Sequence, residues 1–299
     1  MRFELTADQR DFAASLDSLL AASDTTAIAR AWADGDTAPG LALWKRLADQ
    51  GLTMLATEAT PVELCVALEA LGRHGVPGPW VESAAYLPIA LGHEIEGVAT
   101  VAVPPHVPYA LDADIADEVY IVTDGGLATG AVGERHGSVD RTRRLHSVSG
   151  FETGASAPSS TTGDAFDLAV LATSAQLLGA GERLLDDSVT YVKQRRQFGR
   201  EIGSYQAIKH RLADVRIALD FARPLVYGAA LGAISASAAK VACGDAAYLA
   251  SRTGLQVHGA IGYTQEFDLS IWITKVRALV TAWGTPAHHR ARILDGLVR

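Results

Sequence analysis

Cysteine is scarce. Cys65 and Cys243 are the only two among 299 residues, and they form neither a CxxC pair nor a zinc-ligand spacing. That argues against a disulfide-stapled scaffold and against a structural zinc site. Cations are outnumbered as well: 26 Lys and Arg face 34 Asp and Glu, a formal net charge of -8. Bulk electrostatics therefore do not favour a nucleic-acid backbone, although a local basic patch could hold a small anion. No uninterrupted apolar run has the length of a membrane span; the longest weakly polar stretch, 226–242, is rich in Ala and Gly and ends near Lys240. The opening residues MRFELTADQR lack the basic-then-apolar pattern of a signal peptide. No Gly-x-Gly-x-x-Gly follows a strand-like run, and no Gly-x-Ser-x-Gly elbow is present. With 48% hydrophobic and 20% charged residues the composition is that of an ordinary globular protein. The expectation is a reduced, cytoplasmic protein of about two domains, with no nucleic-acid or membrane partner.

The residues present read mainly as helix. Thr6 to Gln9 forms a candidate capping box, followed by Phe12, Leu16, Leu19 and Leu20 at helical spacing. Thr60, Pro61 and Glu63 make a clearer helix start, and Leu64, Val66, Leu68 and Leu71 lead to an expected stop at Gly72. Short β-rich runs at 97–103 and 119–123 mark a change of character, enough for a small sheet. Residues 152–163, rich in Ser, Thr, Gly, Ala and Pro, read as a loop or linker. Helices resume from Asp167, with long ones at about 205–234 and 236–257 and two shorter ones at the end, the pattern of a bundle. The expected architecture is mainly α with a small β domain: a helical domain over 1–92, a reduced β-rich domain over 93–160 and a C-terminal helical bundle over 161–299.

Two segments carry chemistry. The run YVKQRRQFGREIGSYQAIKHRLAD spans 191–214, and QVHGAIGYTQEF spans 256–267. Taken singly, Arg195-Arg196 reads as charge complementing a helix end, and Gln256 with Gly259 as a helix end and its cap. Taken together, in this order and separation, the two segments resemble the signatures of the acyl-CoA dehydrogenase family. WKRLADQG (44–51) and LEALGR (68–73) are weaker matches to its N-terminal helical part. The resemblance implies an FAD cofactor. Arg195 would hold the pyrophosphate, a task suited to a planar guanidinium fork. Gln197, Phe198, Gln206, Gln256 and Gly259 would join it, with Thr285 of the Gly284-Thr285 pair. In this family the first six reach the flavin of a neighbouring subunit, so the resemblance implies an oligomer.

The family's reaction also needs a carboxylate base, placed either just before the Gly-Thr pair or on the long helix ten residues before a glycine matching Gly179. Those positions hold Trp283 and Ala169. Asp167 falls about 200° round the helix from Ala169, and Glu182 and Glu266 read as solvated or capping acids. His288-His289 reads as a pair of C-terminal cations and the cluster Asp140–Arg144 as a surface loop, contact with CoA phosphates being the alternative. The chain also lacks the family's Thr-Glu-Pro…Gly-Ser-Asp and Trp-x-Thr segments. The implied role is the non-catalytic chain of a heteromeric, α2β2 acyl-CoA dehydrogenase, resembling the actinobacterial steroid-degrading enzymes, with FAD shared with a full-length partner that binds the acyl-CoA. A self-sufficient homo-oligomeric flavoenzyme with a displaced base and a flavin-free acyl-CoA-binding scaffold are the alternatives.

Overall fold

Thr6 and Thr60 each start a helix by the mechanism their neighbours predict. The computed structural model describes residues 4–150 and 159–298. In α1 (Ala7–Ala21), Thr6 Oγ1 accepts from the Gln9 amide while the Gln9 side chain accepts from the Thr6 amide. After α2 (Thr25–Asp34), α3 (Ala38–Ala48) and the short α4 (Leu55–Glu58) comes α5 (Pro61–Arg73). There Glu63 accepts from the Thr60 amide at 3.0 Å and from Gln9 Nε2 at 2.8 Å, so one carboxylate caps α5 and ties it to α1.

Gly72 is not the helix stop that the sequence predicts; α5 continues through it to Arg73. A Cβ at Gly72 would lie 2.1 Å from the Gln176 carbonyl oxygen, and one at Gly179 would lie 1.9 Å from that of Glu69. The two glycines let α5 cross the long helix α7 (Ser159–Gln194) backbone against backbone. A helix packed that closely cannot be displaced without losing both contacts.

A π-helical turn, Glu82–Tyr86, runs into α6 (Leu87–Leu91) and then the sheet. Its strands are β1 (Ala99–Ala102), β2 (Ala110–Leu111), β3 (Glu118–Thr123), β4 (Gly126–His136) and β5 (Leu145–Gly150), in the order β1-β3-β4-β5-β2. β1 and β3 are parallel, with Val101 opposite Tyr120; the other pairs are antiparallel. The register shifts between Val132 and Arg135, where β4 is mostly solvent-facing. The supposed linker lies partly outside the described residues, at 152–158; α7 already begins at Ser159.

The remaining elements form a bundle around α7: a two-strand hairpin, β6 (Arg196–Gln197) and β7 (Arg200–Glu201), then α8 (Gln206–Ala230), α9 (Ala236–His258), α10 (Leu269–Leu279) and α11 (Pro286–Val298). Leu177, Leu178 and Leu184 on α7 are fully buried, each contributing roughly 1.5–3 kcal/mol of apolar transfer. Two expectations about charge are corrected here. Glu182 is no solvated acid: Arg223 of α8 pairs with it and, at 2.8 Å, with Glu69 of α5. The Asp140–Arg144 cluster is no surface loop. Asp140, Thr142 and Arg144 are buried; Lys275 of α10 reaches Asp140 Oδ2 at 3.3 Å and Thr142 Oγ1 at 3.0 Å, while Arg144 Nε reaches Asp112 at 3.2 Å. Charges that looked free in the sequence found opposite charges distant in the chain, which is the condition for burying them.

Candidate functional site

The predicted site residues fall into two places. Arg195, Gln197, Phe198, Gln206, Gln256 and Gly259 gather at one end of the bundle, because the C-terminal ends of α7 and α9 lie side by side there. Tyr191 of α7 stacks on His258 of α9 with ring centroids 4.1 Å apart, which brings the residues following each helix together. The hairpin between α7 and α8 is set by backbone bonds, with the Ile202 amide donating to the Arg195 carbonyl at 2.8 Å. Phe198 sits at its tip with φ 52° and is 90% exposed.

All six residues are solvent-facing. Arg196, not Arg195, pairs with Glu201, at 4.0 Å. Among the described residues the Arg195 guanidinium has no carboxylate partner, and Lys193, Arg196 and Arg200 beside it make the patch basic in an otherwise acidic chain. Nothing stands within 4 Å of where a Cβ on Gly259 would project. A free guanidinium, three exposed carboxamides and an open glycine backbone fit a phosphate-bearing ligand approaching from outside the chain.

Thr285 is elsewhere. Its hydroxyl accepts from the His288 amide at 3.2 Å and so caps α11. The neighbouring Trp283 packs against Phe166 near the start of α7, centroids 5.9 Å apart. Phe166 and Tyr191 are separated along α7 by roughly 38 Å at ~1.5 Å per residue. Thr285 and Arg195 therefore belong to opposite ends of the bundle.

Trp283 and Ala169, the positions that the resemblance assigns to the family's base, lie in packed interior. Trp283 is 1% exposed and Ala169 is fully buried. The indole lies against Tyr86 at 5.1 Å as well as Phe166. Its backbone has φ 56°, a left-handed conformation costing a bulky residue about 1–2 kcal/mol, and its carbonyl accepts from His289 Nε2 at 2.9 Å. His289 is a correction to the expected pair of terminal cations. It is fully buried between Trp283 and Ser237, and burial drives its pKa down to about 4, so it is neutral. Burial and the nearby His106 also lower His288. Asp167 pairs with Arg292 at 2.6 Å, away from the buried Ala169.

Sequence reasoning missed Glu82. It occupies the π-helical turn, is 2% exposed and has its pKa raised by burial, against the opposing pull of Arg143 and a hydrogen bond from Trp283. Such turns often mark altered sites. The signal was available: Glu82 is the single charge between Val76 and Leu91. It lines a void of about 20 Å³ together with Arg143, Gln176 and Lys275, room for one water.

The family model for the acyl-CoA dehydrogenase C-terminal domain matches residues 161–298, the span from α7 to α11. The acyl-CoA dehydrogenase IpdE2 of Mycobacterium tuberculosis is 32% identical over 302 residues, covering 93% of this chain and 90% of its own. Among solved structures, butyryl-CoA dehydrogenase from Megasphaera elsdenii superposes with a TM-score of 0.86 at 18% identity, over 100% of both chains. The ChsE4-ChsE5 complex from Mycobacterium tuberculosis superposes with a TM-score of 0.81 at 21% identity, over 100% of this chain and 99% of that one. No helix among the described residues is long and apolar enough to cross a membrane. The two signature segments at one end of a helical bundle, a small sheet before it, and this extent of similarity place the chain in the acyl-CoA dehydrogenase family.

Proposed function

We propose that this chain is the cofactor-completing, non-catalytic subunit of a heteromeric FAD-dependent acyl-CoA dehydrogenase. One observation carries the reading: the residues suited to a flavin nucleotide are exposed at one end of the bundle without side-chain partners among the described residues, while both family base positions, Trp283 and Ala169, are buried and non-ionisable. When bound, FAD supplies hydride acceptance from Cβ of an acyl-CoA. Arg195 would donate its guanidinium N–H groups to the pyrophosphate, Gln206 and Gln256 would offer carboxamides, and Gly259 would allow close backbone approach. Gln197 and Phe198 would flank the arginine, the ring excluding water from it. The partner, a full-length chain of the same family, would supply the base and the thioester pocket, in an α2β2 assembly; a bulky steroid-derived acyl group fits the resemblance to the steroid-degrading enzymes. Thr285, at the far end and engaged as a cap, would have no part in that flavin site.

The test is native mass with flavin absorbance on the chain alone and co-expressed with a full-length family member from its gene neighbourhood. One flavin per pair of unlike chains, and none on the chain alone, is expected. A flavin-loaded homo-oligomer that oxidises acyl-CoA would overturn the reading, and so would a co-purified pair that holds no flavin.

A further inference from the structure

The packing around Trp283 leaves a second feature that the flavin reading does not use. Beside the plugged interior lies a half-open cavity of about 180 Å³ between the 106–109 segment, the 138–145 segment and α10. Its floor is apolar: Trp283, Leu145 and Ala278. Among the described residues, Arg143 is the one Lys or Arg in its lining. That guanidinium is half-buried and, among the described residues, has neither an ion pair nor a side-chain hydrogen bond; the acid it acts on is the buried Glu82, across the void that the two share. Its neighbours are all committed: Arg141 pairs with Asp34, and Arg144 with Asp112. Ser138 and Tyr109 stand on the same rim, each with a hydroxyl. Tyr109 packs at a tilt against His136, centroids 4.4 Å apart.

An apolar floor with one convergent cation and a few hydroxyls is the usual make-up of a small-molecule site. A cavity of about 150 Å³ accommodates a benzene-sized ring, so this one admits a single ring and not a large cofactor. A lone planar fork matches one carboxylate in a bidentate pair. We infer that this cavity binds a small carboxylate with an apolar body of about one ring, the ring lying on Leu145 and Ala278 at the edge of Trp283 and the carboxylate on Arg143. The site is separate from the flavin-facing end of the bundle and does not depend on flavin binding there.

Benzoate and its neutral isostere benzamide are the probes, titrated into the purified full chain, or into its assembly with the partner, by ligand-observed saturation-transfer NMR. Arg143→Gln and Ala278→Phe distinguish this cavity from any site on a partner. Benzoate is expected to bind at least tenfold more tightly than benzamide. Arg143→Gln should bring benzoate down to the benzamide level, and Ala278→Phe should remove both by filling the floor. Should one variant fail to fold, the other decides. Equal binding of the two probes to the unaltered protein, no binding of either, or benzoate binding unchanged by a folded variant would overturn the inference.

Discussion

The indole of Trp283 and the ring of Tyr86 lie 5.1 Å apart at an interplanar angle of 37°, joining the turn before α11 to the π-helical turn before α6. Trp283, at a position that the resemblance assigns to the family's base, works here as core. Trp283→Ala is expected to destabilise the chain by about 3–5 kcal/mol, the usual cost of truncating a buried aromatic residue. Under the proposed function it should leave turnover per bound flavin in the assembly unchanged, because the base belongs to the other chain. Thermal melts and acyl-CoA oxidation, normalised to flavin content, check both halves. Loss of turnover with full flavin content would count against the division of labour.

Arg195→Ala should lower the flavin content of the assembly. A hydrogen bond to a charged group contributes about 1.5–3 kcal/mol, so flavin affinity should weaken by roughly 10- to 150-fold. Arg195 is exposed and its side chain supports no packing, so the melting temperature of the flavin-free chain should stay constant. Absorbance of the purified assembly, before and after dialysis against excess FAD, reads the effect. Flavin content equal to that of the unaltered protein would remove Arg195 from the site.

Much of this architecture was legible because the signals were local. The Thr6 and Thr60 capping boxes, the long helices and the two strand runs at 97–103 and 119–123 rest on neighbours within a few residues. β4 was not legible: Gly126, Gly130 and Gly133 interrupt it and most of it faces solvent, so it has no apolar alternation to read. The positions of His289, Glu182 and Arg144 were not legible either. Each is decided by a partner distant in sequence: Ser237 for His289, Arg223 for Glu182, Asp112 for Arg144. For the site, the family resemblance named the residues, but only the length of α7 separates Thr285 from the rest.

Arg223 holds two carboxylates, and its removal should show it. Glu69 lies in the α5–α8 seam with burial raising its pKa and Arg223 opposing that rise. Arg223→Met would leave Glu69 without a cation and facing Glu182, whose remaining partner is Arg73 at 3.7 Å. The expected loss is about 2–3 kcal/mol at neutral pH, below the 3–5 of a fully buried pair because the Arg223 side chain is 36% exposed. In the variant the native state should bind a proton more readily than the unfolded chain, so stability should recover as pH falls from 7 towards 5. Urea unfolding at the two pH values measures it; a penalty independent of pH would mean that the lost contacts are packing alone.

His289 sets a limit on acid stability. It is a base whose folded pKa, about 4, lies below its ordinary value of 6.5, because burial and the nearby Lys240 disfavour the imidazolium. The unfolded chain therefore binds the proton first, and the stabilisation present above pH 6.5 is lost as pH falls towards 4. A shift of this size is worth on the order of 3 kcal/mol. The neutral ring accepts at Nδ1 from Ser237 and donates from Nε2 to the Trp283 carbonyl, at 3.0 and 2.9 Å. Acidification therefore acts on the turn that carries Trp283. His289→Gln keeps one donor and one acceptor but cannot titrate. Its melting temperature should start lower than that of the unaltered protein at pH 7 and converge on it between pH 6.5 and 4, since only the histidine form loses stability there. Parallel melting curves across that window would show that another group sets the acid limit.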